Sequence, residues 1–497
     1  MDNFLSKVEL INNAINGFVW GLPMLVLLVG TGILMTCLTK FFQISHFKHW
    51  ISNTIGGIFK DSKVTAHTHK EDTQISQFQS LCTALAATIG TGNIAGVAAA
   101  IASGGPGAIF WMWIVAFFGM MTNFSENVLG IYYRRRNEKN EWCGGAMYYL
   151  RDGLGSKRGC RHLGSFLAIL FSIFCICASF GIGNMGQVNS IAVNINSAFG
   201  VPSIITGICL MIFGALVIVG GLKRIAAVTE KLVPFMAIIY LICAIIVCLF
   251  HINQFGAVFV SIFKGAFGMR AVGGGIVGSG ISMAVQWGMK RGVFSNEAGL
   301  GSSVMVHSSS NVREPVVQGM WGIFEVFADT IVVCTITAFA VLSSGLVDLD
   351  TGVVLSSQVS TALVAEAFST VFGKFGSGFI AIAILLFAFS TTLGWSQYGS
   401  KAFEYLFGRK NIKFYQIIFV LFIVIGATMD LSLAWDISDT LNGMMAIPNL
   451  IGIVTLSGTV VKITKNYVDR ILLNKDVRPM LSALEDIQRK HEEEIKA

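Results

Sequence analysis

A glycine-rich run interrupts one of the most apolar stretches of the chain. Residues 90–96 read GTGNIAG and lie inside the apolar segment 77–103. In the hydrocarbon core of a bilayer every backbone amide and carbonyl must be satisfied within the protein, so unwound backbone is tolerated only where it lines a cavity or holds a ligand. We therefore predict that a membrane helix breaks at 90–96 and that the break forms part of a binding site.

Three other apolar segments carry polar clusters of this kind. They are 273–280 (GGGIVGSG) followed by Ser282, 181–189 (GIGNMGQVN), and 390–396 (STTLGWS). A broken helix frees N–H groups at the start of one half and C=O groups at the end of the other. The amides suit a carboxylate, and the carbonyls suit an ammonium group or a dehydrated Na⁺. A zwitterion bound beside a cation matches such a site without any charged side chain.

The composition places these segments in a membrane. The chain has 497 residues, of which 54% are hydrophobic and 13% charged, with a mean hydropathy of +0.69. A span needs roughly 20 mostly apolar residues, and we predict eleven transmembrane helices. Their ranges are 15–38, 77–103, 106–132, 163–196, 203–221, 232–250, 271–290, 315–343, 376–399, 414–433 and 437–461.

The basic residues predict the orientation. Nearly all of the 35 Lys and Arg residues fall in alternate loops between these segments, as the positive-inside rule requires. We expect an extracellular N-terminus (1–14), a transmembrane domain (15–461) and a cytoplasmic C-terminal tail (462–497), whose end reads as a solvated helix. The net charge of +7 then reports topology, and nucleic acid is not needed as a partner.

The two glycine-rich breaks are five segments apart, so their helices cross the membrane in opposite directions. This spacing predicts an all-α fold with one extra N-terminal helix followed by a five-plus-five inverted repeat, about 77–250 and 271–461. A purely structural explanation of these residues remains open. Glycine also allows helices to pack closely, and Asn or Gln can form hydrogen bonds between helices. A dinucleotide-binding loop is disfavoured, because 90–96 lacks the preceding strand and the acidic residue about 20 positions on.

Carboxylates inside spans are costly and mark function by default. Glu126, Glu325, Asp329 and Asp430 lie within or at the ends of the predicted spans. Glu325 and Asp329 are four residues apart and share a helix face. The structural alternative is that these carboxylates accept hydrogen bonds from neighbouring helix ends or pair with Arg291 or Arg313. Arg291 and Glu297 are predicted to follow the seventh span on the cytoplasmic side. Ser295 and Asn296 are N-cap candidates for a short helix that opens at Glu297. Two interpretations stay open: a helix cap with a flexible hinge at Gly299 and Gly301, or a cytoplasmic gate element.

Six blocks of sequence resemble the alanine/glycine:cation symporter family of bacteria and archaea. The blocks are GTGNIAGVAAAIASGGPGAIFWMW (90–113), GGAMYYL (144–150), FGIGNMGQVNSIA (180–192), RGVFSNEAGLGS (291–302), TTLGWSQYGSKAFEYLFG (391–408) and WDISDTLNGMMAIPNLIGI (435–453). The resemblance implies the inverted repeat shared with the bacterial leucine transporter, within the amino acid–polyamine–organocation superfamily. It also implies Na⁺-coupled uptake of alanine or glycine.

The matching motifs imply which residues bind. By this carry-over the expected substrate residues are Thr91, Gly92, Asn93, Gln187, Thr391 and Trp395, with Trp395 limiting side-chain size. The polar clusters of the other interrupted segments add Asn184, Gly278 and Ser282 as candidates. The expected Na⁺ ligands are Ile89, Gly90, Asn93, Thr391 and Thr392. Arg291, Glu297 and Asp329 are expected to gate or couple.

The sequence therefore predicts secondary active transport by alternating access. No G-x-x-x-x-G-K-[ST] motif is present to supply ATP energy, so we expect no cofactor and Na⁺ as the coupling ion. A proton-coupled amino acid symporter and a non-transporting sensor of the same fold are the alternatives. A channel or an enzyme fits less well, since neither a charged filter nor a nucleophile–base pair is visible. We expect the protein to act in the cell membrane as a monomer.

Overall fold

The computed structural model describes residues 2–65, 74–267, 277–429 and 432–496, and it is built almost entirely of helices. Two-residue strands β1 (Arg135–Arg136) and β2 (Trp142–Cys143) pair antiparallel between two helices.

The helices of the first half are α1 (Asp2–Val19), α2 (Leu22–Leu38), α3 (Phe42–Ser45), α4 (Phe47–Asn53), α5 (Ile55–Lys60), α6 (Ser62–Thr65), α7 (Gln77–Thr88), α8 (Ala95–Gly104), α9 (Gly107–Tyr132), α10 (Ala146–Tyr148), α11 (Arg161–Phe180), α12 (Gly186–Phe199), α13 (Ser203–Ile218), α14 (Gly221–Phe250) and α15 (Phe255–Phe267).

The helices of the second half are α16 (Val277–Asn296), α17 (Val304–His307), α18 (Pro315–Val326), α19 (Thr335–Ser343), α20 (Ser360–Phe372), α21 (Lys374–Phe407), α22 (Ile412–Thr428), α23 (Ser432–Tyr467) and α24 (Glu485–Lys496). Wider π-helical turns join α11 to α12, at Gly181–Met185, and α18 to α19, at Phe327–Cys334, so each pair runs on as one helix.

Within the described ranges, eight helical stretches are long and apolar enough to cross a membrane. They are Lys7–Leu38, Gly107–Tyr132, Arg161–Phe199, Gly221–Phe250, Pro315–Ser343, Lys374–Phe407, Arg409–Thr428 and Asp436–Leu472. The three other predicted spans coincide with the broken pair α7–α8, the 16-residue α13 and α16. The count of eleven therefore stays a prediction.

Apolar side chains also cover the outside of the bundle. Phe213, Leu216 and Phe235 are 58–61% exposed, and they lie on α13 and α14. A soluble monomer seldom exposes so many large apolar side chains together. These faces fit contact with lipid, as expected of a multi-pass membrane protein.

The break predicted in the second span is present. A capping box starts α7: the Ser76 hydroxyl accepts from the Gln79 amide and the Gln79 side chain accepts from Ser76 N–H, both at 3.1 Å. The helix ends at Thr88, a single 3₁₀ turn covers Thr91–Asn93, and α8 then begins at Ala95.

The second break lies further along the chain than predicted. The glycines within 277–280 belong to α16, so the expected unwinding there is wrong. The backbone leaves the helix instead at 297–303, where Glu297, Gly299 and Gly301 have positive φ angles of 56°, 93° and 75°. Two of these three positions are glycine, which adopts that conformation without steric cost.

Arg291 consequently lies within a helix and ahead of the break, which corrects its predicted place in a cytoplasmic loop. Its guanidinium stacks over the rings of Trp287 and Phe294, 5.2 and 5.6 Å from their centroids. The neighbouring Lys290 pairs with Asp439 at 3.0 Å. The long apolar stems of both basic residues allow α16 to continue past the end of its apolar pattern.

Two apolar helices, α15 and α20, occupy stretches that the sequence leaves as loops. The C-terminal helix α24 is present, but it is not solvated on all sides. Gln488 and His491 are only 5% and 6% exposed, and the Ala483 amide donates to the Tyr132 carbonyl at 2.9 Å. The tail is thus docked on the loops between spans.

Candidate functional site

A small cavity lies where the two breaks meet. About 20 Å³ of it is available to the centres of water molecules, which is room for one or two waters. Its walls come from both breaks and from α7, α16, α21, α23 and the α11–α12 helix. The lining residues are Ala87, Thr88, Gly90, Thr91, Gly92, Ile182, Gln187, Phe294, Glu297, Thr391, Trp395 and Asn442.

The first break brings its backbone against α21. A Cβ added to Gly90 would stand 2.4 Å from the Thr391 hydroxyl oxygen and 3.5 Å from Gln187 Oε1. A Cβ added to Gly92 would meet Phe294 and Ser295 at 3.3 Å. A side chain at Gly90 would therefore clash with α21, and one at Gly92 would fit against α16 only if its neighbours shifted slightly.

Trp395 forms one wall of the cavity and is held in place by its neighbours. Its ring packs edge-on against Tyr398 at 5.4 Å. A Cβ on Gly183 would lie 2.5 Å from the Trp395 Cβ, so a glycine in the π-helical turn makes room for the indole. Trp395 as the residue that limits the size of the ligand remains a prediction.

The second break contributes a charged side chain. Glu297 is 4% exposed, and its Oε2 accepts from the Ser302 hydroxyl at 2.5 Å. Its carboxylate is also a hydrogen-bond partner of Trp395. Among the described lining residues it is the one charged group, which revises the expectation that the site works without charged side chains.

Two further groups in the cavity wall are unsatisfied acceptors. Gln187 Oε1 and Asn442 Oδ1 are buried and have no hydrogen-bond partner among the described residues. Leaving such an atom unpaired costs about 1–3 kcal/mol. Together with the Glu297 carboxylate they form an acceptor-rich wall that suits an ammonium group.

Five of the predicted substrate residues line this cavity: Thr91, Gly92, Gln187, Thr391 and Trp395. Gly90, predicted as a cation ligand, and Glu297, predicted as a gate, line it as well. The side-chain surroundings of Gly278 and Ser282, and residues 273–276 of the predicted break, lie outside the described part of the structure.

Other predicted residues lie outside the cavity wall. The Asn184 amide donates to the Phe419 carbonyl at 2.7 Å, which joins its helix to α22. The Thr392 hydroxyl donates to the Ala388 carbonyl at 3.0 Å within its own helix. Ile89 is buried at 2% exposure next to the break. The carbonyl of Ile89 and the hydroxyl of Thr392 as Na⁺ ligands remain predictions.

Asn93 fixes the break and does not line the cavity. Its Oδ1 accepts from the Gly90 amide at 2.9 Å, and its Nδ2 donates to Asp329 Oδ1 at 2.6 Å. The Asp329 Oδ2 accepts from the hydroxyls of Ser295 and Thr330, both at 2.8 Å. The Asn93 side chain thus couples the first break to α16 and to the α18–α19 helix.

Ser295 and Asn296 close α16 and do not open a new helix, which corrects their predicted role as N-caps. The Asn296 Oδ1 accepts from the Ala298 amide at 3.0 Å, and its Nδ2 donates to Thr330 at 3.0 Å. These bonds satisfy the polar groups freed where the helix ends.

The unwound segment 297–303 is held by Glu126, one of the carboxylates predicted within the spans, and by Asn449 of the motif 435–453. Glu126 Oε1 accepts from the amides of Gly299 and Gly301, both at 3.1 Å. Asn449 donates to the Gly299 carbonyl at 2.8 Å and to Glu126 at 2.5 Å. Their separation along the chain leaves no sequence signal for this contact.

Glu325 is paired with a histidine. Its Oε2 lies 3.0 Å from His307 Nε2 and accepts from Asn123 at 3.1 Å. The proposed alternatives of Arg291 and Arg313 as partners are wrong, because Arg291 stacks on aromatic rings and Arg313 pairs with Glu494 at 2.8 Å. Asp430, another candidate, lies outside the described residues.

A sequence profile described as the sodium:alanine symporter family matches residues 5–480. The chain belongs to the sodium:alanine symporter family. The sodium/alanine symporter AgcS of Methanococcus maripaludis is 46% identical over 458 residues, which are 92% of this chain and 96% of that protein. The probable sodium/glutamine symporter GlnT of Bacillus subtilis is 36% identical, covering 93% and 91% of the two chains.

Solved structures agree with the fold. A Na⁺-coupled sialic acid symporter aligns with a TM-score of 0.53 at 12% identity, over 95% of this chain and 96% of that one. MhsT in complex with L-phenylalanine aligns at 0.51 and 13% identity, over 78% and 98%. This member of the sodium:alanine symporter family is therefore a multi-pass, leucine-transporter-like membrane transporter and not an enzyme, and its family supports Na⁺-coupled amino acid transport.

Proposed function

We propose that the protein is a Na⁺-coupled symporter that carries alanine, glycine or both into the cell. The observation that carries this proposal is the small polar cavity between two broken helices. Its size admits only a ligand of a few heavy atoms unless the walls move. Its wall combines acceptors with the backbone of a helix break, which is a match for both ends of a zwitterion.

The ammonium group of the substrate would face Glu297, Gln187 Oε1 and Asn442 Oδ1. Pairing with the carboxylate and the two unsatisfied oxygens would offset the cost of desolvating the ligand. The substrate carboxylate would face the first break, near Thr91 and Gly92, where the start of a half-helix offers N–H groups and a favourable dipole.

The coupling Na⁺ would bind beside the substrate. We propose the carbonyls of Ile89 and Gly90 with the hydroxyls of Thr391 and Thr392 as its ligands. Na⁺ is a hard cation that prefers oxygen donors. The close approach of Thr391 to Gly90, whose added Cβ would stand 2.4 Å from the Thr391 hydroxyl oxygen, supports this placement.

We further propose the eleven-span arrangement with an inverted repeat, an outside N-terminus, a cytoplasmic C-terminus and a monomeric unit. Lys290 and Arg291 lie in α16 and not in a loop, but the remaining Lys and Arg residues are still concentrated in alternate loops. In this orientation α7 and α17 form the cytoplasmic halves of the two broken helices. Movement of these halves would open the cavity to the cytoplasm, and movement of the outer halves, α8 and α16, would open it to the outside.

Uptake into liposomes tests the proposal. Purified protein should accumulate radiolabelled alanine or glycine only under an inward Na⁺ gradient, and replacing Na⁺ with choline should abolish accumulation. Accumulation driven by a proton gradient without Na⁺ would favour a proton-coupled symporter. Binding without accumulation under either gradient would favour a sensor. Glutamine belongs in the same assay, given the glutamine symporter among the relatives.

A further inference from the structure

A second, larger cavity of about 480 Å³ lies nearer the C-terminal end of α21, next to the end of α17 in the second broken helix. Among the residues on its wall are Trp142, Ser309, Gln397, Ser400, Lys401 and Glu404. In the proposed orientation this cavity lies on the cytoplasmic side. We call it the vestibule.

The same helix serves both cavities. Thr391 and Trp395 of α21 line the small cavity, whereas Gln397, Ser400 and Lys401 line the vestibule. With a rise of about 1.5 Å per residue, the ten positions from Thr391 to Lys401 span about 15 Å. A substrate leaving towards the cytoplasm would cover this distance.

The inner wall of the vestibule carries unsatisfied polar groups. Gln397 Nε2, Trp142 Nε1 and Ser400 Oγ have no hydrogen-bond partner in the described part of the chain, although the three residues are only 3–4% exposed. The first two are donors, and a hydroxyl can also donate. Buried donors left unpaired are costly, so their presence together on one cavity wall points to a ligand that accepts.

The charges near these groups favour an anion. Lys401 Nζ donates to the Trp142 carbonyl at 3.2 Å. The Trp142 ring lies between Arg134 and Arg136, whose guanidinium carbons are 3.8 and 3.7 Å from its centroid. Trp142 is therefore fixed by two cations, and its buried, unpaired indole N–H lies in a positive environment.

The vestibule wall also carries the carboxylates of Glu138, Glu141 and Glu404. Glu141 accepts from Arg409 at 2.6 Å. Glu404 accepts from Lys401 at 3.3 Å and from Asn137 at 3.0 Å, and it lies 3.9 Å from Arg409. It consequently does not supply the missing acceptor for Gln397 or Trp142.

We propose that the vestibule is a second subsite for the transported amino acid, where Lys401, Gln397 and Trp142 bind its carboxylate during release to the cytoplasm. The inference rests on the proposed function for the identity of the ligand. A carboxylate would supply acceptors to the unpaired donors and a negative charge to Lys401. Trp142 and Lys401 would thereby act as residues of the release path, separate from the small cavity.

The test compares two identical substitutions on the vestibule wall. Lys401→Met removes the inner ammonium, and Lys410→Met removes an exposed one lining the same cavity. In alanine exchange from liposomes holding protein of one orientation, Lys401→Met, which also frees Glu404 from its ion pair, should raise the KM for alanine on the cytoplasmic face about tenfold. The KM on the opposite face should not change, and Lys410→Met should leave both values as in the wild type. Gln397→Leu, which breaks no ion pair, should act like Lys401→Met.

Equal KM values in the wild type, Lys401→Met and Gln397→Leu would overturn the proposal, as would an equal change on both faces.

A binding experiment tests the vestibule without requiring transport. In a Thr391→Ala background, which is expected to disable the small cavity, equilibrium binding of radiolabelled propionate measures the affinity of the vestibule. Propionate should bind there and lose affinity with Gln397→Leu, whereas alaninamide, which lacks the carboxylate, should not compete. Propionate binding unaffected by Gln397→Leu would also overturn the vestibule subsite. A vestibule that binds propionate in a protein that fails to accumulate amino acids would refute only the proposed function.

Discussion

Replacing Glu297 by Gln isolates the one charge in the small cavity. Gln keeps the shape of the side chain and can still accept from the Ser302 hydroxyl, which now lies 2.5 Å from Glu297 Oε2. The unwound segment should keep its conformation, because Glu126 and Asn449 hold it independently. The substitution therefore removes charge without removing structure.

The expected loss follows from the strength of one charged hydrogen bond. Bonds of this kind contribute about 1.5–3 kcal/mol in buried sites, and each 1.4 kcal/mol is about a factor of ten in Kd. Alanine should therefore bind about 10- to 100-fold more weakly to Glu297→Gln. In a Gln397→Leu background, which weakens the vestibule subsite, propionate lacks the ammonium group and should bind the small cavity with similar affinity whether residue 297 is Glu or Gln, because Glu297 is assigned to the ammonium end.

Equilibrium binding in saturating Na⁺ measures both ligands, with thermal unfolding as the control for folding. Gln318→Leu is unsuitable as a comparison because its side chain contacts His307. Glu314→Gln is suitable, since Glu314 pairs with Arg470 away from the cavity. An alanine Kd within threefold of the wild-type value, or an equal loss for propionate, would refute the assignment of Glu297 to the ammonium group.

Three further predictions concern size, packing and the tail. Gly90→Ala should weaken alanine binding at least tenfold, since its Cβ would stand 2.4 Å from the Thr391 hydroxyl; overpacking of this kind costs about 1–3 kcal/mol. Unchanged binding would show that the break moves freely. Trp395→Ala should admit larger side chains such as that of glutamine in competition assays, and unchanged selectivity would remove Trp395 from the size filter. Burial, with the positive charge of Arg134, lowers the pKa of His491 to about 4 from its ordinary value of about 6.5. The docked tail thus favours neutral His491, and docking should weaken as pH falls from about 6.5 to 4. A fluorophore at the C-terminus should report this release, and His491→Phe should abolish the pH dependence.

The apolar segments were predictable because hydropathy is a strong local signal. The segment 315–343 is helical from Pro315 to Ser343, and the third span starts and ends within a residue of its predicted bounds. The first break was predictable for the same reason, since GTGNIAG places several poor helix formers within one apolar run.

The second break was misplaced because glycine content alone is ambiguous. The run 273–280 holds more glycines than 297–303, yet its described part is helical. The true break depends on Glu126 and Asn449, which lie far apart in the chain and meet only in the fold. Periodicity and composition report local preferences, and they do not show which distant side chain will satisfy an unwound backbone.

The sequence also did not show whether a polar side chain near the breaks faces the cavity. Asn93 belongs to the predicted motif, but its amide is used by Gly90 and Asp329. Asn442 belongs to the motif 435–453, and its Oδ1 lies unpaired on the cavity wall. Both are asparagines in apolar surroundings, and only the packing of α23 against the breaks distinguishes their roles.

The central claim is that the two helix breaks together hold a small zwitterion beside a cation. A structure determined with alanine and Na⁺ tests it most directly. We predict density for alanine between Gly92 and Glu297, in contact with Thr391, with a Na⁺ next to the carbonyl of Gly90. Alanine bound elsewhere while this cavity contains only water would contradict the account.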